Sequence, residues 1–439
     1  MEPERPKSSR DDALAVLQRL RDSGHVAYFA GGCVRDLLLG AQPKDYDVAT
    51  DAPPQKVRQL FRNTQAVGAA FGVILVRLGG SQIEVATFRA DAGYDDGRHP
   101  TAVRFTTAEE DAKRRDFTIN GLFLDPLSGG SEGRVGDQVI DYVGGQADMK
   151  ARTVRAIGNP ADRFDEDSLR LLRAVRFAAR LNFTIDPTTS DAIKHHAPQL
   201  KRISPERIAE ELRIMLTPVT RNNAWRLLWD LDLIGVVFRF LLPDAKETLP
   251  ARSFLFEKIN PESPIPFGLA LAGAVTCYRL QIDAELTDVR TLFSPPTVNA
   301  AVRVMRQALK ISNEESEQLR GTLTGIDPLL RDDFPRVATL KRYLAEPTSP
   351  LSRHLMQALA AQGHQADRIA DLERELQQLE KAEFAPTPLI TGDDLTAHGL
   401  QPGPLFKRIL TDVYDAQLEG RITTRDQAIS CALSIARSN

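Results

Sequence analysis

The sequence predicts an α+β fold, with a small mixed sheet in about the first 150 residues and an all-helical region after it. Up to that point, short apolar runs that end at glycine or proline alternate with patterns of helical period. Beyond it, the strand patterns fade and long helical patterns dominate. A chain of 439 residues is also too long for one compact core, so roughly two to four domains are expected.

The first domain is predicted to alternate helices with strands. Apolar residues over 11–23 recur at helical spacing and predict an amphipathic helix. Pro53-Pro54 is typical of a helix start, because a first helical turn leaves its amide hydrogens unbonded and proline has none to lose. The other predicted elements are strands over 25–30, 46–50, 71–78 and 82–88, and a helix over 34–39.

The helical region is predicted from long patterns of helical period and from a charge-laced helix near its end. Two proline-rich breaks, at 242–266 and 294–296, indicate boundaries between helical modules. The predicted helices cover 165–181, 205–216 and 367–383. The predicted division of the chain is 1–150, 151–240 and 241–439.

Composition excludes some classes of protein. No run of about 18 apolar residues is present, so no membrane-spanning helix is expected. The polar first ten residues lack a secretory signal, and the three cysteines are too sparse for a metal cluster, so we expect a cytoplasmic protein. A net charge of -3 argues against binding nucleic acid through bulk charge. The excess of roughly four basic residues over 150–213 is read equally well as a basic stripe or a solvated helix face.

A glycine pair follows the first predicted strand. Gly31 and Gly32 would let the backbone approach a triphosphate and direct amide hydrogens at it, and Arg35 would add a charge-assisted contact. A Gly-Gly pair by itself is more often a turn or a helix boundary. The pair therefore predicts phosphate binding only together with other evidence.

That evidence is a pair of aspartates on the next predicted strand. Asp45 and Asp47 are two residues apart, so their carboxylates point to the same face. Two carboxylates side by side favour a bound cation, and paired Mg²⁺ ions suit in-line attack of a hydroxyl on an α-phosphate. Glu84, on a neighbouring strand, would complete the cluster as a catalytic base or would pair with Arg89. The alternative is a pair of solvated aspartates at a strand end.

A basic cluster over 113–115 leads into an apolar segment. Arg115 would neutralise phosphate, and Asn120 would form a hydrogen bond with a ribose. The alternative reading of this segment is a helix start that is capped by Asp116 or Thr118.

A third block begins near residue 165. On a helix, Asp167 and Arg170 share a face, and Arg173 and Arg176 continue the row. Cytosine and adenine each present an amino donor beside a ring-nitrogen acceptor, which one carboxylate and one guanidinium match. Uracil and guanine present the opposite polarity and would leave buried groups unpaired, at about 1 to 3 kcal/mol each. The alternative is an acidic first helical turn with ordinary intrahelical ion pairs.

Together these blocks resemble the class II tRNA nucleotidyltransferases and the related bacterial poly(A) polymerases. The resemblance covers roughly the first half of the chain. The matching segments are Gly31-Gly32-x-Val34-Arg35-Asp36, Lys44-Asp45-x-Asp47, Glu84-Val85-x-Thr87-Phe88-Arg89, Arg114 to Asn120, and Glu166-Asp167-x-x-Arg170-x-x-Arg173-Ala174-x-Arg176-Phe177.

The resemblance implies a nucleotidyltransferase head followed by a helical neck, body and tail that bind RNA. It implies that Asp45 and Asp47 bind Mg²⁺, that Gly32, Arg35 and Arg115 hold the triphosphate, and that Arg173 and Arg176 support the phosphate or the base-reading helix. Asp167 and Arg170 would read the incoming base.

The resemblance also implies an activity: addition of C and A to the 3′ end of tRNA from CTP and ATP. Residues 94–100 fill the stretch that resembles the loop needed for the final adenosine, and residues 389–404 resemble the C-terminal segment of bacterial CCA-adding enzymes. The glycine-rich link in that segment would meet an RNA backbone or would be a simple turn between helices. The alternatives are an A-adding enzyme, a poly(A) polymerase, or an inactive RNA-binding module of the same fold.

Overall fold

A computed structural model describes residues 9–68, 72–94, 100–128, 138–241, 255–282, 288–331 and 333–437. At 67–68, 91–94 and 100–102 it describes the backbone alone. The loop predicted over 94–100 therefore lies mostly outside the described residues. The chain forms two compact units, Met1–Met215 with Arg226–Val237, and Leu216–Trp225 with Phe238–Asn439. The division at residues 150 and 240 stays a prediction.

A mixed sheet forms the centre of the first unit, as predicted. The strands up to residue 140 are β1 (Ala27–Ala30), β2 (Val48–Thr50), β3 (Thr64–Gly68), β4 (Val73–Leu78), β5 (Ser81–Thr87), β6 (Arg89–Tyr94), β7 (Pro100–Phe105), β8 (Phe123–Asp125) and β9 (Gln138–Ile140). Seven of them form one sheet in the order β3-β4-β5-β2-β1-β8-β9, and β6 pairs with β7 in a separate hairpin. Strands β2 and β5 run parallel, with Val48 opposite Val85, and their neighbours in the sheet run antiparallel.

Helices flank this sheet and extend the first unit beyond it. They are α1 (Arg10–Asp22), α2 (Gly32–Leu38), α3 (Pro54–Leu60), α4 (Ala108–Lys113), α5 (Gly145–Ala151), α6 (Pro160–Glu166), α7 (Arg170–Leu181), α8 (Pro187–His196), α9 (Pro205–Leu216), α10 (Arg221–Asp230) and α11 (Ile234–Val237). The last residue of α9 and the first half of α10, up to Trp225, are assigned to the second unit. The predicted helices at 11–23, 34–39 and 205–216 are confirmed to within two residues at each end. Pro54 stands in the first turn of α3, as its missing amide hydrogen predicts.

The single helix predicted over 165–181 is wrong. The chain leaves the helical conformation at Asp167, whose φ is -150° and ψ 102°, so α6 ends before it and α7 begins after it. The side chain explains the break, because its Oδ1 accepts the backbone N–H of Leu169 at 3.0 Å. Aspartate often competes with helix formation through such a local hydrogen bond.

The region after residue 150 also contains strand structure, contrary to the all-helical prediction. Two short strands, β10 (Thr153–Val154) and β11 (Thr184–Ile185), pair in parallel. Each has only two residues, which is too short for a period-2 pattern to stand out in the sequence.

The second unit is helical throughout its described part. Its helices are α12 (Leu255–Lys258), α13 (Phe267–Ile282), α14 (Pro295–Leu309), α15 (Asn313–Thr324), α16 (Asp327–Leu330), α17 (Val337–Ala345), α18 (Ser349–Ala361), α19 (Ala366–Leu379), α20 (Gly392–Ala397), α21 (Pro404–Leu418) and α22 (Arg425–Arg437). The break predicted at 294–296 is the start of α14, within one compact unit. The glycine-rich link over 398–403 joins α20 to α21. No helix among the described residues is long and apolar enough to cross a membrane.

Candidate active site

A cleft of about 600 Å³ opens in the first unit, beside the β2–β5 pair and α7. Among the described residues, its lining contains seven arginines and four carboxylate side chains. An excess of cations of this kind suits a polyanionic ligand such as a triphosphate. The predicted site residues that line it are Gly31, Gly32, Arg35, Asp47, Glu84, Arg115, Asn120, Asp167, Arg170 and Arg173. Asp45 and Arg176 lie outside this lining.

The glycine pair forms the turn between β1 and α2. Gly31 has φ +69°, a left-handed conformation that favours glycine, and its N–H donates to the Leu122 carbonyl oxygen at 3.1 Å. A Cβ at Gly31 would lie 2.9 Å from Nη1 of Arg115. The backbone angle therefore favours glycine, and any side chain at this position would displace the guanidinium of Arg115.

The two aspartates lie on the segment that leads into β2. Tyr46, between them, is buried and packs on Phe29, with ring centroids 5.4 Å apart. Alternation along an extended segment predicts that Asp45 and Asp47 lie on the other side, and of the two it is Asp47 that lines the cleft. The strand itself begins at Val48, two residues later than predicted.

The register of the sheet places Glu84 beside Asp47. Asp47 precedes Val48 and Glu84 precedes Val85, and Val48 and Val85 are paired in the parallel β2–β5 ladder. The two carboxylates therefore occupy equivalent positions on neighbouring strands. Burial, then the charges of Glu84 and Asp45, raise the pKa of Asp47 to about 7, while Arg115 lowers it. Three carboxylates that repel one another in this way are stabilised by a cation between them.

Arg35 and Asn120 contact each other at the floor of the cleft. Arg35 is 3% exposed and donates from Nη1 to Asn120 Oδ1 at 2.8 Å. Its Nε and Nη2 donate to Asp36 Oδ1 at 2.9 and 2.6 Å. Asn120 Nδ2 in turn donates to Asp116 Oδ1 at 3.0 Å. Arg35, predicted to contact phosphate, and Asn120, predicted to contact a ribose, thus belong to one network of hydrogen-bonded side chains.

The guanidinium of Arg115 lies beside the glycine turn. Its Nε and Nη2 donate to Asp111 Oδ2 at 3.1 and 3.0 Å, and its Nη1 donates to the Asn120 carbonyl oxygen at 3.1 Å. It also lies over the ring of Phe123, 5.0 Å from the centroid. Asp111 is buried, and the charges of Arg115 and Arg114 outweigh its burial and lower its pKa.

Asp167 and Arg170 both line the cleft, but the helical face that was predicted for them is absent, because Asp167 precedes α7. Each has another ionic partner. Asp167 Oδ2 accepts from Nη2 of Arg207 at 2.7 Å. Arg170 Nη1 donates to Glu166 Oε2 at 2.6 Å. Asp167 and Arg170, which were predicted to read a base, are thus held in place by Arg207 and Glu166 and not by each other.

Arg173 and Arg176 continue along α7, as predicted from their spacing. Arg173 donates from Nε and Nη2 to Asp116 Oδ2 at 2.8 and 2.6 Å. Arg176 Nε lies 3.1 Å from Glu211 Oε2 on α9. Arg173 and Arg176 also lie over the Phe177 ring, 5.4 and 4.6 Å from its centroid. Asp116 is 7% exposed, and Arg173 and Asn120 overcome its burial and hold its pKa at about 2.

Models of known protein families match three parts of the chain. A model described as the poly A polymerase head domain matches residues 27–155. A model described as a probable RNA and SrmB-binding site of polymerase A matches residues 182–246. A model described as tRNA nucleotidyltransferase domain 2 matches residues 289–433.

Full-length relatives decide the family. A CCA-adding enzyme of Streptococcus suis (strain 05ZYH33) is 32% identical over 440 residues, which cover 96% of this chain and 96% of that relative. The chain belongs to the CCA-adding enzyme family. A second CCA-adding enzyme, of Levilactobacillus brevis, is 31% identical over 424 residues, 96% of this chain and 97% of that one.

Solved structures of CCA-adding enzymes share the fold. The Bacillus stearothermophilus enzyme in complex with CTP has a TM-score of 0.70 and 25% identity, and the match covers 98% of both chains. The Thermotoga maritima enzyme complexed with tRNA_CCA has a TM-score of 0.64 and 19% identity, with 96% of this chain and 94% of that one covered. The α+β fold class and the nucleotidyltransferase assignment are therefore confirmed.

Nucleotidyltransferases of the CCA-adding enzyme family use divalent metal ions. Within the described part of the chain, no three histidine, cysteine, aspartate or glutamate side chains are grouped closely enough to hold a metal by themselves. The donor set still fits, because a hard cation such as Mg²⁺ takes one or two carboxylates and completes its shell with water and substrate phosphates. The raised pKa of Asp47, beside Glu84 and Asp45, is the observation that favours a cation there.

Several residues that hold the arginines and carboxylates of this CCA-adding enzyme site were not predicted as site residues. They are Asp111, Asp116, Glu166, Arg207 and Glu211, each of which pairs with an arginine or a carboxylate of the cleft or of α7. The i,i+4 spacing of Asp111 with Arg115 and of Glu166 with Arg170 is a signal that the sequence did carry. Asp116 and Arg173 are 57 residues apart, and no local pattern links them.

Proposed function

We propose that this chain is a CCA-adding tRNA nucleotidyltransferase, which adds C and A to the 3′ end of tRNA from CTP and ATP and releases pyrophosphate. One observation carries the proposal: three mutually repelling carboxylates stand beside an arginine-lined cleft whose floor contains a glycine turn. The names of the full-length relatives and the CTP of the Bacillus stearothermophilus structure support this choice of substrates.

We assign the reaction centre to Asp45, Asp47 and Glu84. Asp45 and Asp47 would hold Mg²⁺, which when bound offsets negative charge on the attacking hydroxyl and on the α-phosphate. Glu84 stands at the equivalent strand position beside Asp47 and is exposed, so we assign it as the base that takes the proton of the tRNA hydroxyl.

The triphosphate would lie along the arginine side of the cleft. Gly31 and Gly32 permit close approach of the backbone, and Arg115 lies against this turn. Arg35 is anchored below by Asp36 and Asn120, so its charge acts on the triphosphate from a fixed position. Fixed cations of this kind stabilise developing charge without having to reorganise during the reaction.

Base selection would rest on Asp167 and Arg170, with Arg173 and Arg176 supporting the helix. Asp167 Oδ2 accepts a hydrogen bond from Arg207, and a carboxylate offers only acceptors to a base. An acceptor-only group suits the amino groups of cytosine and adenine and opposes the carbonyl groups of uracil and guanine. Arg170 would supply the complementary donor.

Product sequencing tests this function directly. Purified protein would be incubated with all four nucleoside triphosphates and with tRNA that ends before, within or after CC. We expect C and A to be added until the end is CCA, and addition to stop there. Long A tails, or use of tRNA-CC alone, would instead support the poly(A) polymerase or the A-adding enzyme. Unchanged nucleotide addition by Asp45→Ala and Asp47→Ala variants would refute the carboxylate reaction centre. If the wild type added no nucleotide, the result would support the alternative of an inactive RNA-binding module.

A further inference from the structure

We propose that Asp111 is a positioning residue for nucleotide binding, which directs the guanidinium groups of Arg114 and Arg115 into the cleft. The inference rests on the proposed function, because it assigns these cations to the nucleotide. Asp111 lies on α4, is 2% exposed and is not among the residues that line the cleft, whereas both arginines line it. Any effect of this carboxylate on a ligand must therefore pass through the two arginines.

The contact with Arg115 fixes the direction of its guanidinium. Asp111 Oδ2 accepts from Nε and Nη2, which form one edge of that planar group. Once this edge is held at two points, the direction of Nη1 is set as well. Nη1 donates to the Asn120 carbonyl oxygen and lies 2.9 Å from the position that a Cβ on Gly31 would take. The carboxylate thus orients this cation toward the glycine turn.

The contact with Arg114 has the same form. Asp111 Oδ1 accepts from Nε at 3.0 Å and from Nη2 at 2.7 Å. The same oxygen accepts the backbone N–H of Arg89 at 3.2 Å, and Arg114 Nε also donates to the Arg89 carbonyl oxygen at 2.8 Å. Asp111 is therefore anchored to the first residue of β6 independently of the two guanidinium groups.

The shared carboxylate also solves an electrostatic problem. Arg114 and Arg115 are adjacent in the chain and line the same cleft, so their charges repel one another. One buried carboxylate between them offsets this repulsion and leaves a net positive charge at the cleft. Without it, each long side chain would be free to swing toward solvent, and its rotational freedom would have to be lost again on binding a nucleotide.

The test is an Asp111→Asn variant of the full chain. Asparagine keeps the shape and one acceptor oxygen, but turns an amide donor toward one guanidinium. We expect the dissociation constants of CTP and ATP, measured calorimetrically without tRNA, to rise about tenfold, as for the loss of one charge-assisted hydrogen bond. KM should rise with them, kcat should change little, and rejection of UTP and GTP should stay as in the wild type.

A matched control lies on the same helix. Glu109 pairs with Lys113 at 2.6 Å, both side chains are more than half exposed, and neither lines the cleft. Glu109→Gln should leave nucleotide affinity unchanged. The Asp111→Asn change made in an Arg115→Ala background should raise the dissociation constants by much less than tenfold, since the main guanidinium that it positions is already gone.

Wild-type CTP affinity in a folded Asp111→Asn variant would overturn the inference, even if its thermal unfolding midpoint fell. If that variant does not fold, Arg115→Lys takes its place: lysine keeps the charge but cannot make the two-point contact, and wild-type affinity there would overturn the inference as well. Failure of the proposed function has a different signature, in which the wild type binds CTP but adds no nucleotide to tRNA.

Discussion

The buried Asp116–Arg173 pair leads to a quantitative prediction for an Asp116→Asn variant. The pKa of Asp116 is about 2 in the folded protein and 3.8 for an unperturbed aspartate. A difference of this size corresponds to between about 2 and 3 kcal/mol of folding free energy at pH 7, at roughly 1.36 kcal/mol per unit. Arg173 is 34% exposed at its side chain, so solvent screening makes about 2 kcal/mol the better expectation.

The pH dependence gives this prediction its sign. Because the folded pKa lies below the unfolded one, the stabilisation is fully present above about pH 5 and is lost as the pH falls from about 4 toward 2. We expect urea unfolding at pH 7 to show the variant less stable than the wild type by about 2 kcal/mol. At pH 3 the difference should shrink to about half. A difference that is the same at both pH values would refute the assignment of this energy to the Asp116 charge.

Three further predictions concern the reaction itself. Asp47→Asn should reduce nucleotide addition by roughly three orders of magnitude with no fall in the unfolding midpoint, since a lost metal contact removes several kcal/mol from the reaction; normal addition would contradict the metal site. Asp167→Ala should relax selection against UTP by about tenfold in single-nucleotide addition assays; unchanged discrimination would remove it from base reading. Gly31→Ala should raise KM for CTP and ATP by displacing Arg115. The control is Gly24→Ala, where φ is also positive, at +84°, but no atom lies within 4 Å of the added Cβ, so KM should not rise. The same KM for both variants would exclude an effect of the contact between the Gly31 position and Arg115.

The sequence predicted those elements whose signals are local. The helices at 11–23 and 205–216 follow from apolar spacing, and β1, β2, β4 and β5 of the central sheet from short apolar runs. It missed β8 and β9, because three-residue strands are too short to display alternation. The break at Asp167 was missed for another reason, since both sides of it are helical and only a side-chain hydrogen bond separates them.

In the cleft, too, the features that depend on neighbouring residues could be predicted, and those that depend on residues far apart in the chain could not. Asp47, which lines the cleft, could be predicted because its two-residue spacing from Asp45 is a local signal. The pairing of Asp167 with Arg207 depends on how α9 packs, and the two residues are 40 positions apart. Sequence reasoning accordingly identified residues that line the cleft but assigned Arg170 as the neighbour of Asp167, where the structure places Arg207.

The parallel pairing of β2 with β5 bears on how this site is recognised in other sequences. Main-chain hydrogen bonds between the strands, not chain length, set the distance between Asp47 and Glu84. Residues 51–80 connect the strands, and Val73 is the one described residue among them that lines the cleft, so the stretch before Val73 can lengthen or shorten while the carboxylates stay together. A search pattern should therefore fix the gap between Asp45 and Asp47 but leave the gap to Glu84 open.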